Sequence, residues 1–174
     1  MRKRRCREKN PKEFLPGCTK WFMFYISEYT KVIPYLILIM KIRNDWRQQS
    51  LEILENHYWG DPSTAPTNLV KRCIELSKIP VNTFTSGDLR VMIGQKFGLQ
   101  YLIPLALEKL QDNIFVEAEL YDGDLLENVL KVDTLFWDNH KDYWMLFNEL
   151  IKSKRQEIAE MDIGMTNFDN SKWM

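Results

Sequence analysis

The chain has 174 residues, 45% of them hydrophobic and 28% charged, enough apolar material for the core of one ordinary domain. Its cysteines, Cys6, Cys18 and Cys73, are odd in number and without framework spacing, which argues against a secreted disulfide scaffold and for a reducing compartment. The net charge of zero conceals a split: residues 1–39 hold nine Lys or Arg against three Glu, while residues 40–174 hold fifteen against twenty-one Asp or Glu. The larger part therefore has the wrong sign for a phosphate-binding surface and suits a basic partner.

Residues 1–39 open with MRKRRCREK, and an apolar stretch from Trp21 to Ile42 is interrupted by Glu28, Lys31 and Pro34. A spanning helix needs about twenty mostly apolar residues, so this is a poor one. No small-residue cleavage site follows it. We expect the natural protein to start at Met40, with residues 1–39 a basic and apolar extension outside the domain. A membrane-proximal segment, or a helix packed on the domain, is the alternative.

From Asp45 to Trp59, the positions Trp46, Leu51, Leu54 and Tyr58 predict an amphipathic helix, ended by Gly60-Asp61-Pro62. Thr67 caps a second helix with an apolar stripe of Leu69, Val70, Cys73, Ile74 and Leu76, which stops before Pro80. A third begins at Thr85 or Ser86, with Ser86 as the capping acceptor and Asp88 near the positive end of the helix dipole; Gly98 terminates it. In the next, Leu99 to Leu110, Pro104 is tolerable only in the first turn, which predicts a regular start near Ile103. Asp122-Gly123-Asp124 is a turn leading into a short helix through Leu130. One long helix is predicted from Thr134 to Met161, followed after Ile163 by a polar end that frays. Only residues 114–121 read as a short extended or β segment. The fold class is mainly α, a single-domain helical bundle over residues 40–174.

The order of elements over roughly residues 40 to 150 resembles the contact-dependent growth inhibition immunity proteins. The likeness rests on the Pro80 turn, the helix start Thr85-Ser86-Gly87-Asp88-Leu89-Arg90, Ile93-Gly94-Gln95 with Gly98-Leu99, and Ile103-Pro104-Leu105-Ala106-Leu107-Glu108. It closes on Tyr121-Asp122-Gly123-Asp124-Leu125-Leu126. It implies a cytoplasmic protein that performs no chemistry and needs no cofactor. Its partner would be the carboxy-terminal toxin domain delivered by a neighbouring cell; no direct nucleic acid, small-molecule substrate or membrane is implied. It also implies that Asp88, Leu89, Arg90, Gln95, Gly98, Pro104 and the Asp122–Leu126 turn hold the fold, with Arg90 pairing to an acidic residue and Gln95 capping a backbone group.

Catalytic and metal signatures are lacking. His57 and His140 stand far apart with no ligand motif beside either, and Leu125 and Leu126 occupy positions where a calcium loop beginning at Asp122 needs oxygen ligands and glycine. No nucleophile elbow, phosphate loop or dinucleotide fingerprint occurs. What remains is the acidic density of Glu117, Glu119, Asp122, Asp124, Glu127, Asp133 and Asp138 against Lys131. On composition it reads as a solvated face. With the family resemblance it reads as a surface for a basic nuclease cleft, anchored by exposed aromatics among Tyr58, Trp59, Trp137 and Tyr143. Trp46, Tyr101 and Trp144 are assigned to the core. The rival readings are a small hydrolase using carboxylates near Asp122 and Asp124, and a membrane-anchored adaptor.

Overall fold

The structure, a computed structural model, describes residues 45–171 and residue 173; the extension, the expected start at Met40, Cys6 and Cys18 lie outside the described residues. These fold as nine α-helices without a strand: α1 (Leu51–Leu54), α2 (Asn68–Ser77), α3 (Ser86–Gly94), α4 (Leu99–Asp112), α5 (Asp124–Leu130), α6 (Thr134–Asn139), α7 (Lys141–Lys152), α8 (Arg155–Glu160) and α9 (Thr166–Asp169). The mainly helical class agrees with the sequence reading.

The predicted helix over 45–59 is broken. A 3-10 turn at Asp45–Gln48 gives way where Gln49 O accepts the amide of Val81 at 3.0 Å and Ser50 bridges Pro80. Long-range pairing thus takes the backbone out of the helix, and only α1 reforms. In α2 the Thr67 hydroxyl accepts from Val70 N at 3.2 Å, the predicted cap. Leu69 and Val70 are exposed, however, and the buried face is Cys73, Ile74, Leu76 and Ser77. Burial pushes the Cys73 thiol up in pKa, as suits an inert core cysteine.

The cap of α3 is Thr85, one residue before the expected Ser86. Its hydroxyl accepts from Asp88 N at 3.2 Å while the Asp88 carboxylate accepts from Thr85 N at 2.9 Å, a complete capping box. The helix ends at Gly94, capped by Gln95, and the left-handed residue that closes it is Lys96 rather than Gly98: Phe97 N donates to Met92 O at 3.0 Å and Lys96 N to Ile93 O at 2.8 Å, with Lys96 at φ 62°. That Schellman pattern normally uses glycine. Lys96→Gly is therefore expected to raise stability by about 0.5–1 kcal/mol, read as a higher urea midpoint with unchanged slope; a lower midpoint would mean that the left-handed geometry is not the dominant cost at this site.

Gly98 instead opens α4, which runs unbroken from Leu99 through Pro104. The proline cannot donate to the carbonyl of Gln100, but Gln100 is exposed, so the lost bond falls on the solvated side where its cost is least. Residues 102 to 107 are all buried, which makes α4 the central element; α3, α5 and α7 pack against it.

The predicted long helix over 134–161 divides into α6, α7 and α8. As one straight rod it would span about 42 Å, wider than a small domain. His140, at φ −127° and ψ 62°, makes the first break and stacks on Phe136 and Tyr143 with centroids 4.2 and 5.7 Å away. The turn brings Trp137, Trp144 and Phe147 together, and the supposed frayed end supplies their partner. Phe168 on α9 is fully buried, with ring centroids 5.1, 5.5 and 5.0 Å from theirs. The core assignments of Trp46, Tyr101 and Trp144 agree with the structure.

Candidate functional site

Between α4 and α5 the chain is irregular, and its backbone bonds explain why 114–121 is not a strand. Phe115 N donates to the side chain of Asn113 at 3.1 Å. Ala118 N and Leu120 N donate to the two carboxylate oxygens of Asp124, at 2.6 and 3.0 Å. Amides that would form a ladder are thus directed onto side chains. Gly123, at φ 85°, makes the turn into α5 and donates to Phe115 O at 3.2 Å.

Asp124 is 0% exposed. Beside it Arg90 Nε donates to Ala118 O at 2.8 Å and lies 3.5 Å from Asp124 Oδ2. The expected intradomain partner of Arg90 is thus found, and Asp124 belongs to it. Glu119 continues the network: Arg72 donates to its two oxygens at 2.9 and 2.6 Å, and Arg90 Nη2 at 3.3 Å. Arg72 also reaches Asp88 at 3.1 Å, which ties α2 and α3 to the loop. The Arg72 hydrogen bonds, and then those of Arg90, hold the Glu119 carboxyl below its ordinary pKa, and Glu119 in turn raises that of the Arg72 guanidinium. Glu119 sits at φ 91°. Its side chain lies across Gly87, where a Cβ would come within 2.4 Å of the Glu119 Cδ, so only glycine at 87 leaves this path open without displacing the carboxylate.

What the loop shows to solvent differs from what it buries. Glu117 and Asp122 are exposed and, among the described residues, make no ion pair. Leu120 is 62% exposed and Tyr121 47%. The Tyr121 hydroxyl donates to Glu127, which also pairs with Lys131 at 2.7 Å. Lys131, and then Tyr121, lower the Glu127 pKa, and Glu127 raises that of Tyr121.

The predicted site residues accordingly separate. Glu117, Glu119, Asp122, Asp124 and Glu127 do gather on one loop and the helix after it. Asp124 is corrected: it has no accessible surface and acts inside the fold. Trp137 is corrected likewise, being fully buried against Phe147 and Phe168. Asp133 is exposed and pairs with Lys96 at 2.8 Å, and Asp138 is half-buried on α6. Tyr58, 70% exposed, lies under the Lys78 ammonium, and half-buried Trp59 packs edge-on to Phe97 at 4.4 Å, so these two form a separate cluster. Tyr143 stacks on His140. Gln95 is the C-cap residue of α3 and is exposed. The sequence reading missed Leu120 and Tyr121, although two bulky apolar residues just before an Asp-Gly turn are a visible signal. It also missed Arg72, which nothing local marks.

Both Asp124 oxygens are taken up by backbone amides and Arg90, so Asp124 is not free to work with Asp122 in proton transfer. Among the described residues no group of His, Cys, Asp and Glu could hold a metal ion, and no helix is long and apolar enough to cross a membrane. The arrangement is a fixed loop with an acidic edge and an apolar tip, suited to binding. Residues 53–146, just over half of the chain, match the family model described as CDI immunity proteins. No curated protein and no solved structure matches.

Proposed function

We propose that this chain, which belongs to the CDI immunity protein family, binds and neutralises the carboxy-terminal toxin domain of its own contact-dependent growth inhibition system. The toxin is a nuclease with a basic cleft, and the complex forms in the cytoplasm of the protected cell by occlusion, without catalysis or cofactor. The carrying observation is the acidic excess of residues 40–174, with Glu117 and Asp122 exposed on a loop whose internal charges are already paired. Such a surface accelerates encounter with a cationic cleft and penalises wrong partners.

Residues 40–174 carry this activity, so removing residues 1–39 leaves binding intact. The test is capture of the toxin domain encoded beside this gene, at low and at high salt. We expect one-to-one capture that weakens on the order of tenfold as salt shortens the Debye length from about 10 Å to about 3 Å. Absence of capture at both salts would overturn the reading; capture indifferent to salt would remove the electrostatic part of it.

A further inference from the structure

We infer that the Glu117–Asp122 loop is a preformed recognition element in which Leu120 and Tyr121 are the apolar anchors and Glu117 and Asp122 the charged rim, held in place by Asp124 and Arg90 as positioning residues. This rests on the toxin-binding reading above. The occupant is a protein surface with a cationic cleft and an apolar pocket within it, namely the toxin domain.

Several separate observations converge here. Leu120 and Tyr121 stand side by side, 62% and 47% exposed, on a segment that could have collapsed onto the core. Their backbone is fixed beneath by a wholly buried carboxylate and a largely buried guanidinium. Burying ions is an expensive way to hold a loop, and here its effect is to fix the main chain between Ala118 and Leu120. Glu119 adopts a left-handed backbone, φ 91°, that a non-glycine residue keeps only when its surroundings impose it. That geometry sends the Glu119 carboxylate across Gly87 to Arg72 and Arg90, leaving the neighbouring exposed pair between carboxylates that make no ion pair among the described residues. An apolar centre inside a charged rim is the usual anatomy of an interface hot spot, and a loop already ordered loses little entropy on docking. The acidic rim complements a cation-lined cleft.

The test uses the full-length chain and the toxin domain encoded beside its gene, with kinetics read by surface plasmon resonance. Leu120→Ala and Tyr121→Ala are each expected to raise Kd about 10- to 100-fold, mainly through faster dissociation, with unchanged melting temperature for Leu120→Ala and a small drop for Tyr121→Ala, which also loses the bond to Glu127. Glu117→Lys with Asp122→Lys is expected to slow association about 10-fold and flatten its salt dependence. Ile53→Ala, an equally exposed aliphatic on α1, should change Kd less than 3-fold. Asp124→Asn should raise Kd, and its fold is checked by circular dichroism; the surface variants decide the matter if it does not fold. Tight binding by wild type that Leu120→Ala and Tyr121→Ala leave unaltered would overturn the loop assignment and spare the toxin-binding reading. No binding by wild type would overturn both.

Discussion

Replacing Asp124 by alanine is expected to remove about 3–5 kcal/mol of folding stability, the usual consequence of deleting one member of a buried ion pair. The loss has identifiable parts. The buried Ala118 N and the part-buried Leu120 N lose their acceptor, and a buried amide without a partner costs about 1–3 kcal/mol, a part-buried one less. Arg90 keeps Ala118 O and Glu119 but loses a wholly buried counter-charge. Loosening of the loop would hydrate the amides and hold the total below a plain sum. Because a domain is stable by about 5–15 kcal/mol in all, urea unfolding followed by far-UV circular dichroism should show a greatly lowered midpoint. Asp124→Asn, which keeps one acceptor oxygen, should recover part of the difference. A loss under about 1 kcal/mol for the alanine variant would show that the carboxylate does not anchor the loop.

The second large effect is expected at Phe168→Ala, where truncating a fully buried phenylalanine should cost about 3–5 kcal/mol through lost transfer energy and the cavity left behind. Phe168 meets Trp137 and Phe147 edge-on and Trp144 stacked, contacts worth about 0.5–1.5 kcal/mol beyond area alone. The near-UV circular dichroism of the two tryptophans should weaken along with stability, and Phe168→Leu should fall between. An alanine variant as stable as wild type would restore the frayed carboxy terminus that the sequence suggested.

The contrast between these two sites shows what was legible in advance. Helices with local signals were read well: Thr67 caps α2 and the Asp122-Gly123-Asp124 turn opens α5, since capping and turn chemistry act over a few residues. Gln49 and Ser50 defeated the same method because their partners, Val81 and Pro80, are distant in sequence. Pro104 misled because its penalty depends on whether the orphaned carbonyl is solvated, which periodicity does not report. The continuous period across His140 hid a break made by aromatic packing, and the polar composition after Ile163 hid one decisive phenylalanine. At the candidate site, acidic density was visible but its sorting was not. Asp124 and Glu117 are both carboxylates in a sequence, and what separates an internal anchor from an external charge is the fold of the loop, which sets the Ala118 and Leu120 amides and the distant Arg90 against Asp124.

Asp124 and Arg90 grip the loop by its main chain, through the amides of Ala118 and Leu120 and the carbonyl of Ala118. Every residue but proline offers the same amide and carbonyl, so this grip does not depend on which other side chains stand at 117, 120, 121 and 122. Changing those side chains leaves the three main-chain contacts themselves untouched. The fold thereby holds the loop by atoms that are independent of the side chains the loop displays.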